Sequence, residues 1–126
     1  MFAQCGNLSA IVVPEGVTSI GGEAFAGCTS LSEVTLPSTI ISIGPEAFSN
    51  CKQCGRIKLY KGVRRIGAGA FRACGIRSIT LPSSVAMIGD GAFDGCDRLR
   101  YIYGVNGTLA EACAKAYHVR FVPISA

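Results

Sequence analysis

The chain has 126 residues, 49% apolar and 16% charged, which excludes a disordered polymer and allows one domain with a real core. A formal net charge of +4 does not of itself imply a nucleic-acid partner, and with no Trp and few aromatics there is little material for a large stacking surface. No apolar run reaches the roughly 18–20 residues of a membrane span, and the start, MFAQCGNLSA, lacks the basic and long apolar regions of a signal peptide.

Along the chain, one tetrad recurs. Residues 2–5 read FAQC, 25–28 FAGC, 48–51 FSNC, 71–74 FRAC and 93–96 FDGC, at spacings of 23, 23, 23 and 22. Ile20, Ile43, Ile66 and Ile88 keep the same step, each followed by Gly. Ala24, Ala47, Ala70 and Ala92 stand before successive Phe residues. A period of this length in this many columns signals a solenoid.

Within a unit, LSEVTLP (31–37) alternates as a short strand, with Leu31, Val34 and Leu36 inward and Pro37 ending it. IISIG (40–44) is a second short extended piece, in which Gly44 is expected to permit the turn that follows. PEAFSNC (45–51) is too short for a stable α-helix and reads as a single helical or 3₁₀ turn. One unit cannot bury its own apolar edge, but units stacked about 4.8 Å apart can. The Cys column then reads as small apolar packing that also makes a weak hydrogen bond to the turn backbone. After the last unit, Thr108 and Glu111 have capping-box spacing, and Leu109, Ala112, Cys113 and Ala116 share a helical face. VRFVPI (119–124) then alternates as a strand.

These columns, from Phe-x-x-Cys through Leu-Pro to Ile-Gly-x-x-Ala, resemble the BspA-type leucine-rich repeat over residues 2–103. The tail from 103 to 124 resembles that family's helix-and-strand ending. The resemblance implies an α/β leucine-rich-repeat right-handed solenoid spanning residues 1–126 as a single domain. Its units start near 2, 25, 48, 71 and 93, and a cap covers about 104–126. It also implies an extracellular or cell-surface setting and a role in adhesion and protein binding, with no catalytic residues and no cofactor. Two units depart from the pattern: Cys54 stands in the Leu31 place and Tyr60 in the Pro37 place, and the fourth unit is one residue short, with Ile76 in the Leu place. The chain begins inside a unit. It is therefore expected to be a C-terminal piece of a longer array, able to self-associate through an uncapped N-terminal end.

Charge is segregated along the sequence. Residues 1–51 hold four acids and no Lys or Arg, residues 52–77 hold eight bases and no acid, and the rest balances. The strand positions facing away from the core change from small and acidic to basic and aromatic. Arg56, Lys58, Tyr60, Arg77, Arg100, Tyr101 and Tyr103 are the candidate ligand-binding residues, of types enriched at binding hot spots. Lys61, Arg64 and Arg65 lie beyond the strand and are expected on another side.

Cys51 and Cys54 form a C-x-x-C, the spacing of a redox pair or half a zinc site. No second such pair exists and the single His118 is remote in sequence, so both are assigned to packing, and no metal site is expected. Asp90, Asp94 and Asp97 lack calcium-loop spacing. The sequence thus points to a non-enzymatic interaction or adhesion module. Its partner would be a protein or surface ligand, such as host matrix or cell surface, with neither nucleic acid nor a membrane span. A spacer array, or a small redox or metal protein built on Cys51 and Cys54, is the alternative.

Overall fold

The computed structural model describes residues 6–124. Its strands are β1 (Ala10–Val12), β2 (Ser19–Ile20), β3 (Glu33–Thr35), β4 (Ser42–Ile43), β5 (Arg65–Ile66), β6 (Ser78–Thr80), β7 (Met87–Ile88), β8 (Tyr101–Gly104) and β9 (Arg120–Pro123). A helix, α1 (Leu109–Ala116), lies between β8 and β9. All pairing is parallel and joins successive coils. The coils stack into two sheet faces and a column of turns, so the molecule is a parallel-strand solenoid.

The second sheet runs unbroken in the order β2-β4-β5-β7, with Ile20, Ile43, Ile66 and Ile88 in register. The glycines after Ile43, Ile66 and Ile88 are there for a different reason from the turn expected of Gly44. Gly44, Gly67 and Gly89 do not have positive φ. They are required because the coils touch at this point. A Cβ on Gly44 would lie 2.7 Å from Gly22 N, on Gly67 2.5 Å from Pro45 N, and on Gly89 2.3 Å from Ala68 N.

The turn stack also differs from the expected helical or 3₁₀ turn: it is a run of β-turns. Alternate amides bond within the coil, as in Ala47 N–H to Gly44 O at 3.3 Å, Ser49 to Glu46 at 3.2 Å and Cys51 to Phe48 at 3.3 Å. The intervening amides bond to the next coil, as in Glu46 N–H to Ala68 O at 2.9 Å, Phe48 to Ala70 at 2.8 Å and Asn50 to Arg72 at 2.7 Å. This alternation needs left-handed residues, and Glu23, Glu46, Asn50 and Ala73 have φ of 59°, 56°, 61° and 54°. No helix tolerates that pattern. Beneath the turns, Phe25, Phe48, Phe71 and Phe93 stack at centroid distances of 5.3, 5.7 and 5.5 Å and interplanar angles of 12° or less.

The cysteine column packs as expected over the described residues: Cys28 and Cys51 are 0% and Cys74 is 2% exposed, with Cys96 half-buried. Cys5 lies outside the described residues. Cys51 Sγ donates to Phe25 O at 3.2 Å and Cys96 Sγ to Phe71 O at 2.9 Å, each tying its coil to the coil before.

The C-terminal segment closes the array by imitating one more coil. The amides of Phe25, Phe48 and Phe71 each donate to an Ala carbonyl of the following coil. For Phe93, the acceptor is instead the Tyr117 hydroxyl, at 3.3 Å, and the Tyr117 ring meets Phe93 edge-on at 5.7 Å. The buried face of α1 is Ala110, Cys113 and Ala114, whereas Leu109, Ala112 and Ala116 are exposed. The expected apolar face was thus rotated by about one residue. The cause is Gly104, in the place Leu36 holds in its own coil: a Cβ there would lie 2.3 Å from the Ala110 Cβ, so this glycine admits Ala110. Thr108 is the N-cap but makes no side-chain cap bond, because its Oγ1 donates to Val105 O at 2.6 Å. Glu111 Oε1 instead accepts from Gly107 N–H at 2.9 Å, one residue earlier than the expected box.

Candidate ligand-binding face

The first sheet is divided. It consists of β1-β3 and, separately, β6-β8-β9. Between them, residues 55–59 form no strand and make one isolated bridge, Ile57 to Val34. Core positions are still kept across the break, since Cys54, Ile57 and Leu59 are as buried as Leu31, Val34 and Leu36. The break comes from the shortened fourth unit. Where other coils have two residues between the turn Cys and the strand, this one has only Gly75. Its amide reaches Cys51 O at 3.1 Å, and a Cβ on it would lie 2.1 Å from Lys52 O. This short path changes how β6 enters the stack.

Strand alternation turns Arg56, Lys58, Tyr101 and Tyr103 outward on this sheet, and Arg77 and Arg100 stand just before β6 and β8. Arg56, Lys58, Arg77, Arg100 and Tyr101 are exposed, and Tyr60 and Tyr103 are half-buried. Arg56, Lys58 and Tyr60 sit on the broken segment, where the Lys58 ammonium lies 4.8 Å from the Tyr60 ring centroid. Arg77 immediately precedes β6. Tyr101 and Tyr103 lie on β8 with rings 6.3 Å apart, and Arg100 adjoins them. The register aligns Ser78, Tyr101 and Arg120 in one row and Thr80, Tyr103 and Val122 in the next.

Arg120 completes the face and was missing from the sequence-based set. The signal was present in VRFVPI: with Phe121 inward, Arg120 and Val122 must face out. Arg98 also joins Arg77 and Arg100 around a shallow depression of about 330 Å³. Conversely, the basic block of the sequence is not one patch. Arg65 is on β5 and Arg64 adjoins it, both on the second sheet, while Lys52 and Arg72 belong to the turn stack. The field of the face therefore comes from four separate segments, two of them beyond residues 52–77.

A groove of about 330 Å³ opens where the sheet is divided, lined by Arg56, Ile57, Lys58, Leu59, Ser78, Ile79, Thr80 and Tyr103. No acidic residue lies on β6, β8 or β9. Glu33, on β3, is the acid nearest the broken segment in register.

The cysteines sit apart from this face in chemistry as well as position. Burial pushes Cys51 up to about 12, with the Cys54 and Cys28 thiols adding to the effect. Burial alone takes Cys113 to about 12, and burial first of all takes Cys96 to about 11. The Cys74 thiol, which donates to Cys54 O at 3.7 Å, is raised by its interaction with Cys54 and then by burial, while Cys54 is lowered, first of all by the same neighbour. Among the described residues, the thiol made more acidic, Cys54, is 0% exposed and so does not reach solvent. Among the described residues, no three His, Cys, Asp or Glu side chains converge on a metal position, and no helix is long and apolar enough to cross a membrane.

Residues 1–114 match the family described as BspA type Leucine rich repeat region, in six copies. Among solved structures, a leucine-rich repeat protein of T. pallidum is 35% identical with a TM-score of 0.79, covering 81% of this chain and 48% of that one. One from Bacteroides ovatus is 36% identical with a TM-score of 0.78, covering 80% of this chain and 26% of that one. A third, from Eubacterium ventriosum, is 27% identical with a TM-score of 0.56, covering 78% and 32%. The chain therefore spans less than half the length of each. No curated protein matches it. With its columns of Phe, Cys, Leu and Ile-Gly each given a place in the stacked coils, this chain belongs to the BspA-type leucine-rich repeat family.

Proposed function

We propose that this chain is a non-enzymatic protein-interaction module of an extracellular or cell-surface adhesive protein, and that it binds through the face formed by residues 55–59 together with β6-β8-β9. Leucine-rich repeat proteins generally serve as protein-interaction modules, and stacked repeats offer an extended surface for that purpose. The observation that carries the reading is the gathering of Arg56, Lys58, Arg77, Arg100 and Arg120 with Tyr101 and Tyr103 on one outward strand face. A cationic, aromatic surface favours electrostatically steered contact with an acidic partner surface. Solubility alone does not account for tyrosines flanking the arginines. The test is to replace Arg56, Lys58 and Arg77 with Glu and measure binding to immobilised host matrix proteins and to cells. Binding is expected to fall at least tenfold. Unchanged binding removes the face from the account and leaves the array as a spacer for another domain.

A further inference from the structure

We propose that the division of the first sheet forms a carboxylate-binding slot, and that the partner of this face presents an acidic, extended peptide segment to it. The proposal rests on the interaction reading above and names the partner's chemistry.

In a parallel strand, successive residues turn their N–H and C=O to opposite neighbours. Arg77 O accepts from Arg100 N–H at 2.8 Å, and Leu81 N–H donates to Tyr103 O at 2.9 Å, so the peptide groups of Ile79 and Leu81 face β8, although the Arg77 N–H at the strand entry turns to Gly55 O. Ser78 and Thr80 therefore face the broken segment. Val13 N–H donates to Thr35 O at 2.9 Å, so Thr35 faces β1 and Val34 faces the broken segment; the bridge between Val34 and Ile57 then leaves the Ile57 peptide groups facing β6. Among the described residues, no hydrogen bond joins Ile57 to Ser78 or Thr80. The missing ladder leaves the amides of Ile57 and Thr80 as donors lining the groove.

Around those amides stand Arg56, Lys58, Tyr103 and the hydroxyls of Ser78 and Thr80. Two amides, a guanidinium, an ammonium and hydroxyls make a donor-rich site for a planar anion, and charge-assisted bonds of this kind are the strong ones. The slot does not admit a whole strand. At its start the coils remain in contact, with Arg77 N–H 3.3 Å from Gly55 O. It therefore takes a side chain from a segment lying across the face.

An acidic peptide fits this surface better than a uniformly charged polymer does. The Tyr101–Arg120 row lies beside the Tyr103–Val122 row, and Arg100 adjoins Tyr101, so apolar and aromatic contacts stand next to the cations. An extended peptide with carboxylates at every second position can place them on one side and use both kinds of contact.

The experiment is a ¹⁵N-resolved NMR titration of the whole chain with a ten-residue peptide of alternating Glu and Ala, paralleled by fluorescence anisotropy. A sulfated oligosaccharide serves as the comparison ligand. The expected result is saturable movement of the Ile57, Ser78 and Thr80 amides. Arg56→Gln with Lys58→Gln should weaken the peptide at least tenfold, and Arg64→Gln with Arg65→Gln on the second sheet less than twofold. The slot is overturned by movements spread over both sheets, by equal weakening in the two double variants, or by binding of the sulfated ligand alone. If matrix binding depends on the face while these amides stay still, the slot falls and the interaction reading stands. If the amides move but no matrix protein binds, the interaction reading falls and the slot stands.

Discussion

At the scale of single residues, the turn stack explains why the Phe-x-x-Cys tetrad repeats. The thiol is small enough for a fully buried corner, and it can donate to the Phe carbonyl of the preceding coil. A cost comes with high pH. Above pH 9 the unfolded chain releases thiol protons that Cys51 and Cys113 keep up to about 12 in the folded chain. The folded state then binds more protons than the unfolded one. Stability is complete below pH 9 and falls on the way to 12, by about 1.4 kcal/mol per pH unit for each such thiol. Thermal melts from pH 8 to 11 should show this fall, and Cys51→Ser, which keeps a donor for Phe25 O, should show a shallower one. Equal slopes would contradict the account. The left-handed φ of 54° at Ala73 gives a second expectation. The equivalent corner in the next coil is Gly95, with φ of 73°. Ala73→Gly should add about 0.5–1 kcal/mol, relief of the left-handed strain exceeding the added chain entropy. Melting should rise by about 2–5 °C.

At the scale of elements, two features set the stack: glycines where coils touch, and a tyrosine where coils end. Gly67→Ala forces a Cβ against the Pro45 backbone and should cost about 2–3 kcal/mol, whereas Gly55→Ala enters open space and should be nearly neutral. Denaturant melts of the pair check this. Tyr117→Phe keeps the ring against Phe93 but removes the acceptor for its amide, and should cost about 1–2 kcal/mol. The repeat made the two strands and the turn of each coil legible, because apolar spacing and punctuation recur. The turn type was not legible, since Glu46 and Ala73 do not announce a left-handed conformation as Gly or Asn would. The role of Gly44 is not legible in the sequence, because close approach between coils is a tertiary fact. The rotation of α1 depended on Gly104 admitting Ala110, again a contact between distant residues. Of the face, seven residues were readable from alternation, and Arg120 was overlooked only because its strand belongs to the cap.

At the scale of the whole molecule, the solenoid turns a sequence block of positive charge into three unlike surfaces. It then builds one cationic, aromatic face from residues as far apart as Arg56 and Arg120. The second sheet and the Phe stack run through without a break, so the division of the first sheet is local. It concentrates unpaired amides beside the cations rather than weakening the whole array. The most direct measurement compares two variants in binding to immobilised matrix proteins at physiological salt. One carries Arg77→Glu, Arg100→Glu and Arg120→Glu on the first sheet; the other carries Arg64→Glu and Arg65→Glu on the second. The account predicts that the first variant loses at least tenfold in affinity while melting like the parent chain, and that the second stays within twofold. Equal losses in the two, or no saturable binding by the parent chain, would contradict it.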